Sequence, residues 1–422
     1  MRSGSRWFLL ALAAMLAGGL PPATAKVPRA PAVHPLARSV PVEDPPGGAL
    51  GSLAEALDHA QDHRGTARIV VLGASHTAAD YLTGPLRRAL QRRFGDGGPG
   101  LLLPGRPWRG ARHDALDLDA SHGWKTHRFG RETPDADGLW GIVGAAVSAS
   151  GPGEFVRMTP KADREPRARF DQVEVWFLAQ PAGGTFQVRL GPRVLGEVST
   201  GSPEVQARRW TSPRIRRPGP VEVRTLGDGE VRLLGVELDR HRPGITVDAL
   251  GVPGARLQDL LEAREDLLRE TLSWRRPDLL VLAFGTNEAY DPDLDLPAYR
   301  ALLRDGLHRL RTWAPEASCL LVGPGALPRA PGPPEAPPGV RRREVTEAQR
   351  QEAQEAGCAF FDLAAGTGHE EGMERWVEAG LALRDRVHFT EAGYAVLAEV
   401  LLRGLREALN GPAYRPPPRR PR

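Results

Sequence analysis

The sequence predicts an α/β fold, a doubly wound parallel sheet with an inserted antiparallel β-sandwich domain. Apolar strand-like runs alternate with segments of helical period in residues 50–116, and again in residues 244–411. Between them, residues 117–243 alternate apolar and polar side chains and are broken by Gly, Pro and Asp turns. A chain of 422 residues has room for an interrupted α/β domain and a separate β module.

The amino terminus has the pattern of a secretory signal peptide. Arg2 and Arg6 precede an apolar run over residues 7–20, and small side chains up to Ala25 suit a signal peptidase. We expect residues 1–25 to be removed by cleavage near Ala25. The mature protein is then exported, to the periplasm or the extracellular space.

Charge and composition predict which partners the protein lacks and how the segments at its two ends behave. The formal net charge is only +4, and the basic residues are spread without interleaved aromatic side chains, so we expect no nucleic-acid partner. Residues 26–49 are rich in Pro and predict a flexible lead-in, and residues 412–422 predict a disordered Pro/Arg tail. We expect no integral membrane segment in the mature protein, because no later run is long and apolar enough.

A strand, a tight turn and a helix follow one another around Ser75. The apolar run from Arg68 ends at Gly73, and helical period covers residues 77–94. This geometry exposes the Ser75 hydroxyl at the carboxyl edge of a sheet and aims backbone N–H groups at a developing anion. Ser75 is equally suited to be an ordinary helix N-cap, so its partners must decide. The Gly/Pro-rich residues 95–110 predict a long loop.

Strands and helices alternate again after residue 244. Predicted strands cover residues 245–250, 278–284, 318–322 and 359–363, and predicted helices cover residues 53–63, 256–274, 297–313, 341–356 and 391–409. Such alternation is typical of a parallel sheet with helices on both faces.

Glycine and polar side chains follow the later strands. Gly254 comes shortly after one strand, Asn287 follows the next, and Asp385 lies three residues before His388 at the start of the last helix. Because the carboxyl ends of parallel strands meet at one edge of a sheet, we expect these residues to converge on Ser75.

The order serine, glycine, asparagine, histidine resembles the four sequence blocks of the SGNH, or GDSL-like, hydrolases, whose sheet is flavodoxin-like. The resemblance is carried by the motifs Gly73-Ala-Ser-His-Thr77, Gly285-Thr-Asn-Glu288 and Asp385-Arg-Val-His388. The chain is most similar to peptidoglycan O-acetylesterases, in which a β-sandwich like a carbohydrate-binding module lies between the serine and glycine blocks. Ala74 is a departure, since the family commonly has aspartate there.

The resemblance implies an exported serine esterase that removes O-acetyl groups from a cell-envelope glycan, most simply peptidoglycan, through an acetyl-serine intermediate. Ser75, His388 and Asp385 would be nucleophile, base and orienting acid. The oxyanion hole would be formed by the backbone N–H groups of Ser75 and Gly254 and the side-chain amide of Asn287, with Gly251 as the alternative glycine. No cofactor and no metal would be required, and the partner would be the acetylated glycan substrate.

The sequence leaves other functions open, some with the same catalytic residues and one that needs no catalytic residue. A glycan O-acetyltransferase, or a lipase or other carbohydrate esterase, would share the catalytic groups. A non-catalytic glycan-binding envelope protein would use the β module alone, and the joint presence of the serine, asparagine, aspartate and histidine argues against it.

Three further expectations concern single residues. Cys319 and Cys358 each lie in an apolar run and either form a disulfide or are two buried thiols, and neither has the spacing of a zinc site. Asp80 and Glu288 lie next to the motifs, and we expect surface or loop positions for both.

Overall fold

The computed structural model describes residues 34–128, 137–162, 168–328 and 338–411. The predicted signal peptide (residues 1–25), the start of the predicted lead-in and the predicted tail (residues 412–422) lie outside these ranges. Within the described ranges, no helix is long and apolar enough to cross a membrane.

The strands of the described residues form one parallel and two antiparallel sheets. In chain order they are β1 (Thr66–Gly73), β2 (Gly100–Leu102), β3 (Leu116–Ala120), β4 (Lys125–Arg128), β5 (Ala145–Ala149), β6 (Phe155–Pro160), β7 (Gln172–Ala179), β8 (Thr185–Leu190), β9 (Arg193–Ser199), β10 (Gln206–Thr211), β11 (Val221–Thr225), β12 (Val231–Asp239), β13 (Gly244–Gly251), β14 (Leu279–Ala283), β15 (Ser318–Val322) and β16 (Ala359–Phe361).

The helices lie before and after the strand-rich region. They are α1 (Gly51–Gln61), α2 (Ser75–Ala78), α3 (Thr83–Phe94), α4 (Leu257–Leu261), α5 (Glu265–Arg275), α6 (Thr286–Ala289), α7 (Leu296–Trp313), α8 (Pro338–Glu355), α9 (Leu363–Thr367), α10 (His369–Glu378) and α11 (Glu391–Leu409).

The parallel sheet has the order β13-β1-β14-β15-β16 and confirms the predicted doubly wound fold. If these five strands are numbered 1 to 5 in chain order, their order across the sheet is 2-1-3-4-5. In this order the chain connections run in opposite directions on the two sides of a switch point between the first and third strands. This switch point lies between β1 and β14. Gly73, the last residue of β1, pairs with Gly251 on one side and with Ala283 on the other. The turns after β1, β13 and β14 therefore begin side by side.

The other two sheets are antiparallel and confirm the predicted β-sandwich. One has the order β10-β7-β12-β5-β4, and the other has the order β3-β6-β11-β8-β9. Phe177 of β7 and Phe186 of β8 meet edge to face with ring centroids 5.4 Å apart, so side chains of the two sheets pack on each other. Short β2, inside the predicted loop at residues 95–110, pairs with β12 of the first of these sheets.

Local features interrupt some predicted elements. The single helix predicted for residues 77–94 is two helices, because Asp80 has a left-handed φ of 55° between α2 and α3. Of the two positions expected for Asp80, surface or loop, the loop is confirmed, since the residue lies between α2 and α3. It is not at the surface, because it is 1% exposed and its carboxylate binds the Arg87 guanidinium at 2.8 and 2.9 Å. The strand predicted to end at residue 363 ends at Phe361, because Asp362 caps α9 by accepting a hydrogen bond from the Ala365 N–H.

Residues 34–49 do not form the predicted flexible lead-in. Val40 and Val42 are buried in the core that covers the parallel sheet. Glu43 forms an antiparallel bridge with Phe360, with backbone hydrogen bonds of 2.8 and 2.9 Å. This segment therefore packs along β16 and continues the sheet with one antiparallel bridge.

Two histidines are buried close to the serine turn. His76 Nδ1 lies 2.8 Å from the Tyr394 hydroxyl, and His113 Nδ1 accepts a hydrogen bond of 3.1 Å from the Ala115 N–H. Burial, reinforced by His388, lowers the pKa of His76 to about 3. Burial and the Arg87 guanidinium lower the pKa of His113 to about 4. Both imidazoles are therefore neutral in the folded protein at neutral pH.

Cys319 of β15 and Cys358, just before β16, form a disulfide with their Cα atoms 4.8 Å apart. Of the two alternatives for these cysteines, a disulfide or two buried thiols, the structure has the disulfide. β15 and β16 are adjacent parallel strands, with Leu320 paired to Ala359, so the cysteines are neighbours across the sheet. The bond closes a loop over a sequence separation of 39 residues.

The buried histidines predict a loss of stability in acid. An unfolded chain protonates histidine near pH 6.5, whereas folded His76 stays neutral down to a pKa of about 3. Its stabilising contribution is therefore fully present above pH 6.5 and falls by about 1.4 kcal/mol per pH unit below it. Urea unfolding at pH 7 and pH 5 should show a smaller pH-dependent loss in His76→Asn than in the wild type. An equal loss in both proteins would contradict this explanation.

The disulfide predicts a second stability effect. Closure of a loop of this length removes unfolded-state entropy worth about 4 kcal/mol. The double variant Cys319→Ser/Cys358→Ser should unfold at lower urea concentration by a corresponding amount. Reductant should shift the wild-type midpoint toward the variant and leave the variant unchanged. A wild-type midpoint that does not respond to full reduction would refute the stabilising role.

Candidate active site

Two glycines allow the turn that carries Ser75. A Cβ on Gly73 would lie 2.6 Å from Thr77 Oγ1 and 2.8 Å from the Ala283 carbonyl oxygen. A Cβ on Gly251 would lie 2.5 Å from the Ala78 nitrogen. Contacts this short do not occur, so only glycine lets α2 start directly over the ends of the neighbouring strands. Ser75 is the first residue of α2, where backbone N–H groups have no acceptor within the helix.

Ala74, at the position of the family's usual aspartate, is a buried apolar residue. It is 3% exposed and belongs to the main hydrophobic core. Its backbone has φ −105° and ψ −143°, and its carbonyl oxygen accepts hydrogen bonds from the Thr77 and Ala78 N–H groups. The serine turn is therefore formed by backbone contacts, without a carboxylate at this position.

A continuous chain of hydrogen bonds links Ser75, His388 and Asp385. His388 Nε2 lies 2.9 Å from Ser75 Oγ, and His388 Nδ1 lies 2.8 Å from Asp385 Oδ2. The carboxylate requires the proton on Nδ1, which leaves Nε2 free to accept from the serine hydroxyl. This arrangement can activate a serine for attack on a carbonyl carbon.

Backbone groups hold the Asp385 carboxylate in place. Its Oδ1 atom accepts hydrogen bonds from the Val387 N–H at 2.9 Å and the His388 N–H at 3.0 Å. Partial burial would raise the pKa of Asp385, but these hydrogen bonds and the His388 side chain outweigh it and lower the pKa. Asp385 is therefore ionised at neutral pH, and its orientation toward His388 is fixed from both oxygens.

Gly254 and Asn287 lie in two turns that touch each other. Gly254 has a left-handed φ of 82°, which favours glycine there although a Cβ would meet no atom within 4 Å. Asn287 Nδ2 donates a hydrogen bond of 2.7 Å to the carbonyl oxygen of Ala255, the next residue. Arg128, at the end of β4 in the sandwich, donates to the Pro253 carbonyl oxygen at 3.2 Å. The Gly254 turn is thus held from two sides.

Glu288 does not have the expected surface or loop position. It is 2% exposed, and its carboxylate accepts hydrogen bonds from the Leu257 N–H at 3.0 Å and the Gly285 N–H at 2.9 Å. Burial raises the pKa of this carboxyl group, and the two backbone donors partly offset the effect. The one signal in the sequence was its spacing, a Glu three residues after the glycine that opens a helix, as in a capping box.

Other side chains surround His388 and the residues next to it. The His76 ring lies 5.4 Å from the His388 ring, and Tyr394 and Phe389 pack against His76 on further sides. Tyr290 is 41% exposed. Its partial burial and the charge of Asp385 raise its pKa to about 12, so the ring lies beside the site as a neutral phenol. Among the described residues, no cluster of three His, Cys, Asp or Glu side chains is placed to hold a metal ion.

Comparison with known proteins connects this geometry to a family. The model of the GDSL-like lipase/acylhydrolase family matches residues 218–396, which include Gly254, Asn287, Asp385 and His388. Comparison with curated protein sequences finds no match.

Comparison with solved structures covers more of the chain. The chain is similar to a peptidoglycan O-acetylesterase at 27% identity with a TM-score of 0.71, covering 85% of this chain and 95% of that one. It is more distantly similar to a family two carbohydrate esterase from Cellvibrio japonicus, at 12% identity with a TM-score of 0.28, covering 70% and 98% of the two chains. The chain therefore contains a GDSL-like lipase/acylhydrolase domain of the SGNH type and is an esterase.

Proposed function

We propose that this esterase is exported and removes O-acetyl groups from peptidoglycan through an acetyl-serine intermediate. The observation that carries the proposal is the hydrogen-bonded chain from Ser75 through His388 to Asp385. It occurs in a fold that is similar, over 85% of its length, to a peptidoglycan O-acetylesterase.

Ser75 is the nucleophile in the proposed reaction. As its oxygen attacks the ester carbonyl carbon, His388 Nε2 takes the hydroxyl proton and Asp385 stabilises the resulting imidazolium. Collapse of the tetrahedral intermediate breaks the bond to the sugar oxygen, which receives the proton from His388. Water then attacks the acetyl-serine with His388 again as base, and His388 returns the proton to the Ser75 oxygen as acetate leaves.

Three N–H donors would stabilise the negative charge on the tetrahedral oxygen. We assign this role to the backbone N–H groups of Ser75 and Gly254 and to the side-chain amide of Asn287. The aligned ends of β1, β13 and β14 and the hydrogen bond from Asn287 to Ala255 support the assignment. Donors that are oriented before the reaction cost no reorganisation when the charge develops.

Two features support an exported glycan esterase. A disulfide such as Cys319–Cys358 persists in oxidising compartments, in agreement with the signal-peptide pattern of residues 1–25. The exposed side chains of Tyr290 and Leu383 are available at the edge of the site to pack on the apolar face of a sugar ring. Leu383 is tied to the catalytic loop, since its N–H donates to the His388 carbonyl oxygen.

Ser75→Ala should abolish acetate release from O-acetylated peptidoglycan, with a loss of about 10⁴-fold or more, because the proposed acyl-enzyme forms on the Ser75 oxygen. Ser148→Ala is the matched control. Ser148 also pairs with a histidine, its Oγ lying 2.7 Å from His127 Nε2, but it belongs to β5 of the sandwich. Ser148→Ala should keep wild-type activity. Activity that survives in Ser75→Ala and disappears in Ser148→Ala would overturn the proposed site.

The substrate is tested with the same wild-type protein. Acetate release should be faster from O-acetylated peptidoglycan than from acetylated xylan or from long-chain esters at equal ester concentration. A preference for xylan or for long acyl chains would reject peptidoglycan as the substrate and leave the esterase mechanism intact.

Asp385→Asn should lower kcat by about 10³- to 10⁴-fold, because an amide cannot hold His388 in the tautomer that accepts the serine proton. Asp295→Asn serves as the control, since Asp295 also accepts a backbone hydrogen bond but caps α7. The measurement is steady-state hydrolysis of a soluble acetyl ester. A kcat for Asp385→Asn within threefold of the wild type would remove Asp385 from the mechanism.

A further inference from the structure

Glu288 is a buried carboxylate for which the proposed reaction has no direct use. Both of its oxygens are occupied by backbone donors, the Leu257 N–H at 3.0 Å and the Gly285 N–H at 2.9 Å. Burial of a carboxylate costs free energy that a neutral or apolar side chain in the same volume would not cost. The free-energy cost of burying Glu288 is therefore accompanied by a gain that a neutral or apolar side chain would not give, the two hydrogen bonds to Leu257 and Gly285.

The two donors belong to different turns. Gly285 ends the connection from β14 and opens α6, which carries Asn287. Leu257 opens α4, three residues after Gly254. Glu288 therefore bridges the turn of the asparagine and the turn of the glycine with one rigid group.

A second hydrogen bond joins the same two turns. Asn287 Nδ2 donates to the Ala255 carbonyl oxygen at 2.7 Å, which uses one of the two amide N–H bonds. The second amide N–H of Asn287 then points in a fixed direction, as long as the turn that carries Asn287 and the turn that carries Gly254 do not move relative to each other. The Glu288 bridge restricts that movement.

We propose that Glu288 is a positioning residue that couples the Asn287 side chain to the Gly254 turn and so sets the geometry of the oxyanion hole. It acts through these donors and does not touch the reacting atoms. The inference rests on the proposed roles of Gly254 and Asn287. Donors aimed at a charge that exists only in the transition state affect kcat more than KM, so a displaced turn should be visible in kcat.

Glu288→Gln tests the inference, because glutamine has a similar shape but sets an NH₂ group against one of the two backbone donors. We expect kcat for a soluble acetyl ester to fall roughly 10- to 100-fold, with KM within about twofold of the wild type. Glu288→Asp, which is one methylene shorter and cannot reach both donors, should show the same separation of kcat from KM. It replaces Glu288→Gln if that variant does not fold.

Glu352→Gln is the control for the loss of any buried carboxylate. Glu352 lies on α8, its side chain has no exposed surface, and it binds Arg300 at 2.9 Å and Arg304 at 3.1 Å. This variant should lose stability in urea and keep the wild-type kcat. A kcat loss in Glu352→Gln as large as that in Glu288→Gln would reduce Glu288 to a general packing role.

A double-mutant cycle with Asn287→Ala examines the coupling. If Glu288 acts through Asn287, the combined variant should lose less kcat than the product of the two single losses. Losses that multiply, or a wild-type kcat in folded Glu288→Gln, would overturn the inference. Residual activity in Ser75→Ala reports separately on the proposed function, so the two failures are distinguishable.

Discussion

The pairing of Gly73 with strands on both sides is the constraint on which the rest of the site depends. Because Gly73 lies opposite Gly251 and Ala283, the turns after three parallel strands start at one level of the sheet. The absence of a side chain at Gly73 and Gly251 lets α2 begin in contact with the neighbouring strand ends. Ser75 then lies, partly buried, at the switch point of the sheet, where a doubly wound fold leaves a crevice.

Some side chains of the site are exposed to solvent and others are buried, and the proposed chemistry explains which are which. Asp385 and His388 have side chains that are 45% and 37% exposed, so the base of the proposed reaction is accessible from solvent. Glu288 and His76, on the protein side, are buried. A base must be accessible to substrate and water, whereas oxyanion donors must keep their orientation when charge develops. Burial of Glu288 and His76 and exposure of the groups proposed to react meet both requirements.

The sequence predicts the features that depend on local patterns. The run ending at Gly73, the strand before Gly285 and the final helix at Glu391–Leu409 have clear period and boundaries, and the order of polar residues at the strand ends then indicates their convergence. The features that the sequence does not predict depend on tertiary contacts. β2 is only three residues long and is a strand because β12 pairs with it, and Asp80 breaks a helical pattern because its carboxylate turns inward to Arg87. The surface or loop position expected for Glu288 is wrong because its two backbone partners come from separate turns, and no sequence pattern brings both of them to one carboxylate.

The central claim is that Ser75 is the nucleophile activated by His388. Its most direct test is reaction of the folded enzyme with a fluorophosphonate, followed by peptide mapping by mass spectrometry. If His388 activates Ser75, one phosphonyl adduct forms on Ser75, at a rate that falls by orders of magnitude in His388→Ala. An unmodified Ser75 in active enzyme, or an adduct on Ser148 in its place, would contradict it.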